Sequence, residues 1–124
     1  MSLLLDTNVF LWWVNQSRLS AAAREAIGEP LESVFVSAVV IWEIAIKRNL
    51  GRLDAPADIE RHISLNNFRP LFINLAHASA AGSLPRHHDD PFDRMLVAQA
   101  QVEGLTLVTR DRALAPYGVP TIRA

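Results

Sequence analysis

Cysteine is missing from this 124-residue chain. Its absence excludes disulfides, thiolate metal sites and thiol nucleophiles, and it suits a reducing cytosol. Long apolar runs are missing too. Neither Val9 to Val14 nor Ala38 to Trp42 approaches the roughly 20 residues a membrane helix needs. Leu3 to Leu5 is apolar, but no basic residue precedes it and Asp6 ends it, so it does not read as a signal peptide. The expectation is a soluble, cytoplasmic protein with no membrane partner. An excess of charge is also lacking: 12 basic and 13 acidic residues give a formal net charge of −1. That argues against a generic nucleic-acid coat, which would be strongly basic. No repeat, low-complexity tract or linker interrupts the chain, and its length suits one domain over residues 1–124.

What is present is a regular alternation of short apolar runs and helical patterns. Ser2 to Leu5 reads as a buried strand that ends in the polar triplet Asp6-Thr7-Asn8. Thr7 or Asn8 is the expected cap of a helix over Val9 to Val14. Ser20 caps a second helix, Ala21 to Ile27, which Gly28 stops. Val34 to Val36 is a β-branched and aromatic strand. Ser37 caps a long helix that runs to about Leu50, with Gly51 as terminator. Pro56 opens a helix that continues to Asn66. Leu71 to Asn74 reads as a strand, and His77 to Ser83 as a helix. Leu84 to Asp90 is loop, and Asp90-Pro91 starts a helix over Phe92 to Glu103 that Gly104 stops. Leu105 to Val108 is a strand, Asp111 to Leu114 a helical turn, and Pro120 to Ile122 a final edge segment. Such alternation predicts an α/β fold with a parallel sheet and helices on both faces. Sites in such sheets form beyond the carboxyl ends of the strands.

Four acids fall at that edge. Asp6 follows the first strand, and Asp111 follows the strand that starts at Leu105. Asp93 lies in the first turn of a helix that feeds that strand, so its end of the helix sits at the strand's carboxyl end. Glu43 lies in the second turn of the helix after Val36. Two carboxylates about 5 Å apart repel by roughly 3 kcal/mol at an effective dielectric near 20. A cluster of four therefore raises its own pKa values or recruits a cation. Oxygen-only ligands favour a hard ion, Mg²⁺ or Mn²⁺ over Zn²⁺. The reaction class this predicts is metal-assisted phosphodiester hydrolysis. Without these acids the remaining charges sum to +3 (12 − 9), so a metal-neutralised pocket would sit in a mildly basic surface that can accept a phosphate backbone.

Each acid also has a plain structural reading. Asp6 suits a turn or a helix cap, Asp93 suits the positive end of a helix dipole, and Asp111 suits a cap or a pair with Arg110 or Arg112. Glu43 sits in a helix that is apolar nearly all round. It is either on a narrow exposed stripe with Lys47, its i,i+4 partner, or buried for a purpose.

The residues also carry a resemblance. LLLDTNVFLWW (Leu3 to Trp13), VSAVVIWEIAIKRNLGRL (Val36 to Leu53), HHDDPFDRMLVAQA (His87 to Ala100) and LTLVTRDRALAPYGVPTIRA (Leu105 to Ala124) resemble, in the same order, the PIN-domain ribonucleases, and among them the VapC-type toxins of toxin–antitoxin pairs. The resemblance implies a three-layer α/β/α sandwich. It implies a site in which Asp6, Glu43, Asp93 and Asp111 bind Mg²⁺ or Mn²⁺ and cleave RNA. A homodimer and inhibition by a cognate antitoxin that inserts near the site are implied as well. Thr109 matches a small polar position whose hydroxyl could orient Asp111 or a metal-bound water. Asn8 departs from the His that often follows Asp-Thr in relatives. Arg110 or Arg112 is the expected stabiliser of charge that develops on the phosphate.

Other residues have competing readings. Asp90 is expected as an N-cap and Asp89 as solvated loop. His87 and His88 are adjacent, so their side chains diverge, and loop histidines more often serve structure or solvent than metal. His62 and His77 have still less claim to a site. Trp12, Trp13 and Trp42 lie in apolar runs and are expected to pack in the core or a dimer rather than stack on bases. Lys47, Arg48 and Arg52 form a basic set that is either a solvated face or a phosphate contact. Arg86, Arg94, Arg110 and Arg112 interleave with the acids in a pattern consistent with salt bridges. A haloacid dehalogenase-like phosphatase would need an Asp where Asn8 stands, and a receiver domain an Asp where Ser37 stands. A catalytically silent protein-binding module is the remaining alternative.

Overall fold

The computed structural model describes residues 2–124. Its first strand, β1 (Ser2–Leu5), carries Leu3, Leu4 and Leu5, each fully buried. Neighbouring residues of a strand point to opposite faces, so both faces of the sheet are covered at this strand. That is the signature of a parallel sheet sandwiched between helices. The chain continues through α1 (Thr7–Val14), α2 (Ala21–Gly28), β2 (Ser33–Ser37), α3 (Ala38–Asn49), α4 (Arg61–Leu65), β3 (Arg69–Leu71), α5 (Leu75–Ser83), α6 (Pro91–Glu103), β4 (Thr106–Thr109), a 3-10 helix (Arg112–Tyr117) and β5 (Thr121–Arg123).

The five strands lie in the order β3-β2-β1-β4-β5, and every neighbouring pair is parallel. The chain winds outward from β1 through β2 to β3, then crosses back to lay β4 and β5 on the other side. β1 and β4 therefore flank the point where the winding reverses, which opens a crevice at their carboxyl ends. One apolar cluster runs through the structure, from Leu3 to Leu5 through Phe10, Val36, Ile44, Leu96 and Leu107 to Leu114.

Most expected boundaries hold within a residue or two. Ser20, Ser37 and Asp90 cap their helices through side-chain oxygens. Gly51 and Gly104 adopt positive φ at the two terminations that need it. Four readings change. Asp6 itself caps α1, accepting from Val9 N–H at 2.8 Å, so Thr7 and Asn8 are inside the helix. Gly28 is the last residue of α2 rather than its stop, because Glu29 takes the cap position in an extended conformation. Pro56 does not open a helix: residues 57–60 form turns and only Arg61–Leu65 is helical. The Pro56 carbonyl instead accepts from the Arg48 guanidinium, and Asp58, Ile59 and Glu60 carbonyls take three-residue turn bonds. The third strand is Arg69–Leu71, not Leu71 to Asn74. Phe68 anchors its start in the core, and Asn74 caps α5 in a capping box with His77. Pro70 is tolerated because β3 is an edge strand.

Candidate metal centre

Asp6 leaves β1 at the crevice with 7 % of its surface exposed. Its two carboxylate oxygens are held by different elements. Oδ1 accepts from Val9 N–H, and Oδ2 accepts from the Thr109 hydroxyl at 2.6 Å. Thr109 closes β4, and its hydroxyl oxygen in turn accepts from the Asp111 N–H at 3.0 Å. One hydroxyl thus ties Asp6 to the backbone of Asp111. Glu43 is 5 % exposed. Its Oε1 accepts from the Thr7 hydroxyl at 2.6 Å, and its Oε2 meets the Lys47 ammonium at 2.5 Å. Glu43 is therefore buried and not on an exposed stripe, although it does pair with Lys47 one helical turn on.

Asp93 and Asp111 stand at the other half of the rim. Asp111 Oδ1 caps the following 3-10 helix through Ala113 N–H. Asp111 Oδ2 lies 2.9 Å from His88 Nε2, and Asp93 Oδ2 lies 3.3 Å from the same nitrogen. One ligand atom from each of these three residues falls within 4.8 Å of the other two. His88 was the residue that sequence reasoning undervalued. Its ring is fixed by the Asp90 N–H, which donates to Nδ1, and its own N–H donates to the Tyr117 hydroxyl. That hydroxyl also binds the Pro85 carbonyl. Arg94 locks the same loop by donating to the carbonyls of Ala81, Leu84, Pro85 and His88. The loop from Leu84 to Asp90 is thereby aimed at the acids by contacts distant in sequence.

Electrostatics couple the two halves of the rim. Burial lifts the Asp6 pKa to about 6; Thr109 and Val9 pull it down, while Glu43 and Asp111 push it further up. Burial likewise lifts Asp93 to about 7, with Asp90, Asp6 and Glu43 adding repulsion and His88 opposing it. Burial disfavours a charged His88, but the Asp111 hydrogen bond and the charges of Asp93, Asp111 and Asp90 outweigh it and raise its pKa. Lys47 is raised through its hydrogen bond to Glu43. Buried carboxylates that also repel one another form an unfavourable anionic pocket, which a hard divalent cation would relieve. The donor set fits such an ion.

Other expected residues lie elsewhere. Arg110 is directed away from the acids: its guanidinium stacks 4.2 Å from the Trp12 ring and binds the Arg18 and Ala124 carbonyls. Arg94 forms no salt bridge with the acids and serves the loop instead. His87 packs edge-on against Tyr117, and His77 is buried against Glu103. Trp13 packs on Phe68 and bonds Asn66. Trp42 is 59 % exposed, so it is not a core residue. It lies edge-on against Phe92, and the two rings follow α3 and α6 beside Glu43 and Asp93. No described helix is long and apolar enough to cross a membrane.

Known proteins resemble this chain in sequence and fold. The chain is 32 % identical over 123 residues to Ribonuclease VapC22 of Mycobacterium tuberculosis, covering 96 % of this chain and 94 % of that protein. The crystal structure of VapBC2 from Rickettsia felis, bound to a DNA fragment from its promoter, superposes with a TM-score of 0.69 at 15 % identity, covering 99 % and 98 % of the two chains. FitAcB from Neisseria gonorrhoeae gives a TM-score of 0.64 at 19 % identity, covering 97 % and 96 %. Those two likenesses establish the parallel five-stranded α/β/α fold. A family profile described as PIN domain matches residues 3–119, and with that span and the curated relative in agreement the chain belongs to the PIN domain family.

Proposed function

We propose that this protein is a metal-dependent endoribonuclease of the VapC type, held in check by a cognate antitoxin. The observation that carries the reading is the pair Asp6 and Asp93, whose carboxyl pKa values are raised to about 6 and about 7 by burial and by the charges of neighbouring acids, Glu43 beside both and Asp111 beside Asp6. The likeness to a ribonuclease along 96 % of the chain supports RNA as the substrate. The likeness of the fold to a toxin–antitoxin complex from Klebsiella pneumoniae and to VapBC-5 of Mycobacterium tuberculosis, a member of a family of toxin–antitoxin systems, supports the antitoxin partner.

In this reading Asp6 and Asp93 hold Mg²⁺ or Mn²⁺ directly, and Glu43 and Asp111 complete the oxygen-rich set directly or through water. When bound, the ion supplies neutralisation of the acids, polarisation of the phosphodiester and activation of water at neutral pH. The protein's own contribution is placement. Thr109 and Val9 hold Asp6 in one rotamer, and Thr7 and Lys47 do the same for Glu43. Lys47 leaves positive charge beside the acids, where a phosphate would arrive. Trp42 offers an exposed ring next to the crevice for a base. Phe72, Leu75 and Leu65, exposed apolar side chains on the β3 and α4–α5 side, offer surface to the antitoxin or to a second copy in a homodimer.

The test uses partner-free protein and labelled total RNA with Mg²⁺, with Mn²⁺ and with EDTA, beside Asp6→Asn and Asp93→Asn. Discrete cleavage that needs the metal and disappears in both variants is the expected result. Cleavage that survives EDTA or both substitutions would sink the metal mechanism. Metal binding by a well-folded dimer without turnover of any RNA would favour the silent binding module instead.

A further inference from the structure

His88, Asp93 and Asp111 form a group that by composition alone suggests a mixed nitrogen and oxygen metal site. The hydrogen bonds around the ring say otherwise. The backbone N–H of Asp90 points at Nδ1 from 3.0 Å. An amide N–H can only donate, so Nδ1 carries the lone pair and the neutral ring's proton sits on Nε2. Nε2 is the atom that faces Asp111 Oδ2 at 2.9 Å and Asp93 Oδ2 at 3.3 Å. A nitrogen that bears a proton cannot ligate a metal. A ligating Nε2 would require the opposite tautomer, with Nδ1–H directed at an acceptor, and here Nδ1 meets a donor.

We infer that His88 is a positioning residue for the metal ligands and not itself a ligand: its Nε2–H donates to the carboxylate of Asp111 and lies beside that of Asp93, and the Asp90 amide fixes the tautomer that makes it a donor. This inference rests on the metal-centre reading above and specifies one part of it. Its consequence is an inner ligand set made of oxygen alone, despite an imidazole within reach. The loop is built for this role. Tyr117 holds the His88 N–H and the Pro85 carbonyl, and Arg94 gathers three carbonyls of the same loop and that of Ala81 in α5, so the ring has little freedom to turn its other nitrogen inward. Asp90 joins the arrangement twice: its N–H sets the ring, and its carboxylate caps the helix that carries Asp93.

Two measurements test the inference without RNA. Nitrogen-15 NMR of histidine-labelled wild type, recorded above the ring's pKa, reads the tautomer directly. The expected result is protonated Nε2 and unprotonated Nδ1, unchanged when Mg²⁺ or Zn²⁺ is added. A switch to protonated Nδ1 on metal addition would show that His88 ligates, and would overturn the inference. Calorimetric titration of Mg²⁺ into wild type, His88→Ala and His88→Gln supplies the second reading. Loss of the donor in the alanine variant should weaken binding by about 10-fold, within the range for supports of a ligand. Glutamine, whose amide N–H can still donate, should recover part of that loss and leave the ratio of Zn²⁺ to Mg²⁺ affinity as in wild type. Unchanged Mg²⁺ affinity in the alanine variant, or a Zn²⁺ preference that falls with His88, would refute the positioning role. Absence of saturable binding in wild type would instead bring down the metal-centre reading itself, and the inference with it.

Discussion

Asp6 and Glu43 are each less than a tenth exposed, and each receives a 2.6 Å hydrogen bond from a threonine hydroxyl. Asp93 and Asp111 are more open, with side chains 22 % and 39 % exposed, and they meet at a histidine on a loop. The first half of the rim is set by the sheet and by helices that begin at its edge. The second half depends on a loop that Arg94 and Tyr117 must gather. Deep carboxylates gain a fixed geometry at the cost of desolvation, whereas the open pair keeps access to solvent and substrate. The proposed function, firm binding of an ion together with admission of a long polymer, would draw on both.

The comparison can be broken most severely at its rigid half. Asp6→Asn should reduce metal-dependent RNA cleavage by roughly 100-fold or more, since it removes a preorganised charge from the reacting centre; single-turnover assays with excess protein will measure it. Next comes the pH dependence of the metal-free fold. Asp6 and Asp93 hold protons in the folded state that the unfolded chain has already released above about pH 4. Stability should therefore fall as pH rises from about 4 to about 7, by a few kcal/mol in total, and level off above that window. Urea denaturation in EDTA across this range checks the sign. Asp93→Asn should flatten the curve, and added Mg²⁺ should rescue wild type but not the variant.

The two threonines sharpen the contrast further. Thr109→Val leaves Asp6 Oδ2 without its donor and the Asp111 N–H without its acceptor, and should cost roughly 1–3 kcal/mol of stability. Thr7→Val should cost less, because Glu43 keeps Lys47. Equal losses on denaturation would contradict the view that Thr109 joins the two halves. The smallest effect is expected at Lys47, which is 43 % exposed. Lys47→Gln should change stability by less than about 1 kcal/mol, and any effect on cleavage should shrink as salt is raised.

Much of this arrangement was legible in the residues. Apolar runs followed by Asp6 and by Thr109-Arg110-Asp111 place two acids at strand ends, and Asp90-Pro91 with Gly104 brackets the helix that brings Asp93 to the same edge. Local chemistry sufficed because each signal lies within a few residues of the group it positions. His88 was not legible for the opposite reason. Its orientation depends on Tyr117, 29 residues away, and on the Arg94 carbonyl network, neither of which has a periodic trace. The cap of α1 was misplaced because Asp6, Thr7 and Asn8 are all good caps, and only the bond to Val9 decides between them. Arg110 looked available for phosphate because a sequence cannot show that Trp12 lies beneath it.

The winding of the sheet also sets a schedule. β1 lies between β2 and β4, so the edge it shares with β4 is formed only after the chain has passed through β3 and returned. Asp6 is the first of the four acids to leave the ribosome, and Asp111 is the last. During most of synthesis the chain carries a solvated Asp6 and no anionic pocket to neutralise. Repulsion among the acids, and any hydrolytic capacity they support, arises when β4 docks beside β1. A truncated product that stops before β4 is therefore expected to lack the assembled acid cluster, so the threading order itself delays the site until β4 is in place.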